Sequence, residues 1–153
     1  MGFPVNERRI TVRLMAYWEK IRAGRPMPRE QDVDPDAIAD LWDYCFLLSV
    51  KDMGKEGYQY TYLGSEIKKA YQGGLSEADT GGLISPNADR LADCYMEIIH
   101  TKAPVVDEGE FRNSIGDMVK YRQCLLPLGE DGAVKAVFGG MRYKIFTAQI
   151  IPK

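Results

Sequence analysis

The stretch from Tyr44 to Val50 reads YCFLLSV, seven residues with no room for a polar face. A run this short and this apolar favours a strand buried within a sheet rather than an amphipathic helix. Around it the period changes. Tyr58 to Leu63 (YQYTYL) alternates as a second strand, and Met53 to Gly57 between the two supplies a glycine-bearing turn. Together they predict an antiparallel hairpin. The last third is again strand-like: Val105 to Phe111, Met118 to Leu128, and Ala133 to Phe146, with Gly129 to Gly132 as the connecting hairpin loop. We expect YCFLLSV and the AVKAVFGG segment to lie side by side at the centre of one sheet.

Helical patterns fill the gaps. From Glu7 to Ala23 an apolar stripe recurs at Ile10, Leu14, Tyr17, Trp18 and Ile21, with charges on the other side. Asp34-Pro35-Asp36 reads as a cap followed by a first-turn proline, predicting a short helix from Pro35 to about Trp42. Ser65 is expected to cap a short helix that runs to Tyr71 and ends at Gly73-Gly74. Ser85-Pro86 opens a longer helix to about Thr101, with Leu91, Ala92, Tyr95, Ile98 and Ile99 on one side. The order is helix, short helix, two strands, helices, three strands. That is an α+β chain with one antiparallel sheet, its helical crossover on one face. The first helix is expected to cover the other face, because a sheet with helices on one side leaves the second side open. The organisation follows as an N-terminal helix and linker over 1–34, a folded domain over 35–147, and a tail over 148–153.

Composition excludes several function classes. Twenty basic residues against 22 acidic ones leave a net charge of −2, so no broad positive field exists to hold nucleic acid. Three scattered cysteines (Cys45, Cys94, Cys124) form no C-x-x-C pair, which argues against a zinc site and against a disulfide framework. The charges within the first helix rule out a signal-peptide core or spanning helix, so the expected compartment is the cytoplasm. Asp32-Val33-Asp34-Pro35-Asp36 superficially resembles a calcium loop. Ala37 and Asp43 stand where an EF-hand requires glycine and glutamate, so capping explains the aspartates and no metal is expected. No glycine pair belongs to a phosphate-binding motif, and a single histidine gives no catalytic triad. Gly139-Gly140 inside a strand marks a bulge or a close backbone approach.

The residues also carry a resemblance. Trp18-x-x-x-Arg22-x-Gly24-Arg25-x-x-Pro28-Arg29, then Asp32-x-Asp34-Pro35-x-x-Ile38, resembles the opening of a PAS-like family common in alphaproteobacteria. Tyr60 to Ile67 is similar to that family's second strand and following helix. Pro104-Val105, Phe111, Leu125 to Leu128 and Asp131-Gly132 resemble its closing strands. The resemblance spans about Leu14 to Tyr143, and the chain departs from the pattern between Gly74 and Ser85. It implies a bacterial PAS fold, often stand-alone: a five-stranded antiparallel sheet with a helical crossover.

PAS domains bind a ligand between sheet and helices or dock a partner, and neither use requires catalysis. The leading expectation is therefore a sensory module that binds a small apolar or aromatic ligand and relays to a partner protein. The alternatives are an interaction module without ligand and, third, a small cone-fold acid–base enzyme. The ligand-binding candidates are Tyr60, Tyr62, Tyr95, Met96 and Phe138, with Tyr58, Tyr60 and Tyr62 read as sharing one strand face. Haem is disfavoured because His100 falls on the helix side shared by Asp93, Met96 and Glu97. Flavin is disfavoured because Cys94 lies mid-helix in Ala-Asp-Cys-Tyr-Met. The cofactor is thus unassigned. The stripe Ile10, Leu14, Trp18 and Ile21 is the candidate helix-packing or dimer surface, and a homodimer is expected. With only Thr147 to Lys153 after the last strand, we expect no output segment and expect any signal to leave through a partner.

Overall fold

A computed structural model of the chain describes residues 5–72, 75, 81–84 and 87–147. Five strands form one sheet: β1 (Cys45–Lys51), β2 (Gly57–Leu63), β3 (Val105–Arg112), β4 (Met118–Glu130) and β5 (Ala133–Phe146). Every neighbouring pair is antiparallel, and the order is β2-β1-β5-β4-β3. The two apolar segments do lie side by side at the centre, with Cys45 opposite Gly140 and Leu48 opposite Val137. Among the described residues there are three α-helices: α1 (Val5–Arg22), α2 (Ser65–Tyr71) and α3 (Ala88–Thr101).

Both faces of the sheet are covered around β1, which is why YCFLLSV has no polar side. Phe46 and Leu48 of β1, Gln123 and Leu125 of β4, and Met141 of β5 form the inner face, under α2 and α3. Cys45, Cys124, Leu126, Phe138 and Gly140 form the outer face. There α1 lays Ile10 and Leu14 against the backbone at Gly140, where an added Cβ would stand 2.3 Å from a Leu14 methyl. Ile10, Leu14 and Trp18 are buried and Ile21 is half-buried, so the stripe at i, i+4 and i+8 is used within its own chain.

Local chemistry explains the joints. The β4–β5 turn is the two-residue Asp131-Gly132, both at positive φ, as the twist of a tight hairpin requires. The expected helix from Pro35 to Trp42 is instead two 3-10 turns, Pro35–Ile38 and Trp42–Tyr44. Asp34 still caps the first by accepting from the Asp36 N–H, but neither turn is long enough to propagate an α-helix. Gly64, not Ser65, is the residue before α2. A Cβ there would lie 2.2 Å from the Asp43 carbonyl oxygen, so only glycine lets α2 start that close to the chain entering β1. Gln72 in the left-handed region ends α2. The expected stop at Gly73-Gly74 and the Ser85-Pro86 cap lie outside the described residues. Gly139-Gly140 marks a close approach, since pairing with β1 and β4 is regular through both residues.

Candidate functional site

The inner face and the two crossover helices enclose a chamber. β1 contributes Phe46, β2 Tyr60, α2 Tyr71, α3 Tyr95, β4 Gln123 and β5 Met141. The rings lock together: Phe46 meets Tyr60 edge-on at 5.9 Å, and Tyr58 lies 5.3 Å from Tyr95. Tyr71 stacks on Phe111 at 4.4 Å. Between the described residues these contacts leave about 10 Å³ of open space, room for one water at most. The Tyr95 hydroxyl is buried there without a hydrogen-bond partner at ordinary geometry among the described residues. Burial pushes its pKa up, with Tyr60 the next contributor.

Gln123 connects the chamber to a polar cluster between α3 and β3. Its amide donates to Asp107 Oδ2 at 2.9 Å, and Arg90 donates to Asp107 Oδ1 at 2.7 and 3.1 Å. Asp107 is buried, so these charge-assisted bonds offset the cost of removing a carboxylate from water. Gly109 opens the space for the Tyr121 hydroxyl, which an added Cβ would meet at 2.6 Å. Burial raises that hydroxyl's pKa, while the Asn87 side chain lowers it. Cys94 lies beside the cluster, its thiol pushed up to about 11 by burial and then by Asp107.

Of the sequence-predicted ligand residues, the structure brings only Tyr60 and Tyr95 together in this chamber. Tyr62 is on the outer face, because β2 carries an extra residue, Thr61, opposite the Leu47–Leu48 step. That bulge reverses the alternation after Tyr60. Tyr62 stacks on Trp42 at 4.4 Å and donates its hydroxyl to the Trp42 carbonyl at 2.9 Å. Phe138 is also on the outer face, packed between Tyr17 and Trp42. Met96 is 40% exposed, beside a shallow groove it shares with Ile99, His100, Gly54 and Lys55. Phe46, Gln123 and Asp107 were not singled out from sequence. Gln123 could have been found, since Val119, Tyr121, Gln123 and Leu125 alternate onto one face of β4. Phe46 could not, because a run apolar on every residue hides which side faces the helices.

The motif after α1 has a structural role. The Trp18 indole N–H donates to the Pro127 carbonyl at 2.8 Å, and the Gly129 N–H donates to the Pro28 carbonyl at 2.8 Å. Arg22 lies over the Trp18 ring. The Asp32 carboxylate accepts from the Arg29 backbone N–H at 2.8 Å and from the Arg25 guanidinium at 2.7 Å. The Arg29 N–H first, and then the two guanidiniums, hold that carboxyl down at about 2. The clasp fixes α1 to the end of the β4–β5 hairpin.

His100 is exposed near the end of α3, with Nδ1 at 2.8 Å from the Met96 carbonyl oxygen. Among the described residues no three His, Cys, Asp or Glu side chains converge as a metal set. No described helix is long and apolar enough to cross a membrane.

No curated protein matches the sequence. Solved structures do resemble it in fold. A cysteine-to-valine variant of a fungal photoreceptor, Vivid, matches with a TM-score of 0.50 at 17% identity, over 84% of this chain and 92% of that one. The PAS domain of a Colwellia psychrerythraea protein gives 0.47 at 13% identity, over 70% and 93%. A Rhodobacter sphaeroides LOV protein gives 0.47 at 12% identity, over 72% and 68%. With its five-stranded sheet, helical crossover and a family match over residues 7–142, the chain belongs to the PAS domain family.

Proposed function

We propose that this chain is a sensory PAS module that relays by docking to other proteins, with its central chamber closed. The observation that supports this most is the chamber's size. About 10 Å³ stands against the ~300–1,000 Å³ of a small-molecule site. Phe46 and Tyr95 occupy the volume a ligand would need. Among the described residues the geometry assembles no catalytic set, and burial pushes the Cys94 and Cys124 thiols up to about 11 and 12, away from the thiolate form a cysteine nucleophile uses.

One observation favours a second reading, in which a small apolar or aromatic molecule enters between Tyr60, Tyr95 and Gln123. The Tyr95 hydroxyl, buried beside Tyr60, makes no hydrogen bond of ordinary geometry among the described residues, and a ligand acceptor would supply one. Native mass spectrometry of purified protein separates the two. The docking reading expects the mass of the bare chain or its multiples. A stoichiometric organic adduct that disappears in Tyr95→Phe would overturn it in favour of ligand sensing. The homodimer expected from α1 would need a surface other than Ile10, Leu14 and Trp18, which the sheet already covers. Light scattering at micromolar concentration tests it.

A further inference from the structure

On the outer face beyond α1's contact at Gly140, β4 and β5 pair like charges directly. Lys120 stands opposite Lys144, and Arg122 opposite Arg142. Each residue is two positions from the next on its strand, so all four lie on one face, in rows ~7 Å apart along the strands. Like charges directly opposite in a sheet repel and destabilise the pair. The chain places them there although its acidic residues outnumber its basic ones, 22 to 20. Only part of this charge is neutralised. Glu108 bridges Arg122 at 2.5 Å, and Glu110 lies opposite Lys120 on β3. Arg142 rests over the Tyr44 ring, and neither it nor Lys144 has a carboxylate partner among the described residues. The rim is apolar, with Phe146 48% and Val106 43% exposed.

We infer that this face docks an acidic, amphipathic helical segment of a partner protein. Carboxylates at i and i+4 on a helix are ~6 Å apart, close to the spacing of the cation rows, while apolar residues beside them would cover Phe146 and Val106. The inference rests on the docking reading above. A ligand found in the chamber would sink that reading and leave the binding test of this face unaffected, so the two fail separately.

The test uses a fluorescein-labelled helical peptide of about 18 residues, with Glu at i and i+4 beside Leu, and a twin with Gln for every Glu. Anisotropy is read at about 50 and 300 mM salt. The Glu peptide is expected to bind at least ~10-fold tighter than its twin and to weaken ~10-fold at the higher salt. Lys120→Glu with Lys144→Glu should lose at least ~10-fold. Lys51→Glu with Lys55→Glu, an equal charge change on exposed lysines at the β1–β2 turn, should lose nothing. Lys144→Gln alone removes the repulsion across the Lys120–Lys144 pair without setting two carboxylates opposite each other, so it should melt no lower than wild type and still weaken binding. Equal losses in both double variants, or no binding below about 1 mM, would overturn the inference. So would a dimer that the Lys120/Lys144 variant splits, which would make a second copy the occupant. Patch-dependent binding to anionic phospholipid vesicles without peptide binding would overturn it as well.

Discussion

Gly139→Ala and Gly140→Ala differ by one position and by the side of β5 on which the new methyl falls. At Gly139 the Cβ would stand 2.4 Å from Phe46 Cζ and 2.6 Å from the Cys124 carbonyl oxygen. Ordinary carbon–carbon contact begins at ~3.5 Å, so the ring must retreat by about 1 Å. Behind it lies only the 10 Å³ chamber. The carbonyl belongs to the β4 backbone, where β4 and β5 face each other, and cannot move without disturbing that pairing. At Gly140 the first contact is the end of a Leu14 side chain at 2.3 Å, followed by Ile10 at 3.4 Å, and both can rotate or ride with α1.

Overpacking costs ~1–3 kcal/mol, so we expect about 3 for Gly139→Ala and about 1 for Gly140→Ala. In a domain of this size that is a fall of ~6–12 °C against ~2–4 °C. Urea unfolding followed by the fluorescence of Trp18 and Trp42 gives both values by linear extrapolation. Phe46→Leu added to Gly139→Ala should recover part of the loss, since it removes the ring but not the carbonyl contact. A Gly139→Ala protein within ~0.5 kcal/mol of wild type, or less destabilised than Gly140→Ala, would refute the packing described at the chamber floor.

The clasp predicts a pH dependence. The native Asp32 carboxyl is held at about 2, against ~3.9 in an unfolded chain, so folding favours its ionised form. Its contribution is present above pH ~4 and disappears as the pH falls through ~2. The stability gap between wild type and Asp32→Asn, read as a difference in urea midpoints, should therefore close over that window. A gap constant to pH ~2 would contradict it. The thiols give another test: Cys45 and Cys124 are buried, and burial raises all three cysteines. A thiol-labelling reagent at pH ~8 should modify the native chain slowly, with Cys94 first, and all three cysteines only on unfolding. One cysteine reacting as fast as free thiol would be incompatible with the described burial.

The sequence made the sheet legible because its signals are local. The AVKAVFGGMRYKIF strand runs over the expected residues, and YCFLLSV is a central strand because apolar residues on both sides demand two covers. The site was less legible because it depends on which way each side chain points. Counting by twos from Tyr58 put Tyr62 beside Tyr60, and the extra Thr61 in β2 turned it to Trp42. Phe138 was read as lining because it is aromatic and on the last strand. Its direction is fixed by Gly139, which must face Phe46, and by Gly140, which must face Leu14. Asp107 was invisible for another reason: its burial depends on Arg90 and Gln123, which reach it from α3 and β4.

Adjacent glycines with opposite partners also bear on how such a module could relay. A group entering the chamber has to displace Phe46 or Tyr95, because the remaining space holds one water. Phe46 lies against the Gly139 backbone on the inner side, and Leu14 lies against Gly140 on the outer side. A shift of the ring therefore meets β5 where α1 rests on it. Arg142 and Lys144 follow two and four residues further along the same strand. Tight packing transmits displacement and does not absorb it. The clasp fixes the other end of α1 to Pro127. On the proposed docking reading, the clasp resists motion of β5 at the hairpin end, so the outer face beside Arg142 and Lys144 is where a docked partner would register a change in the chamber.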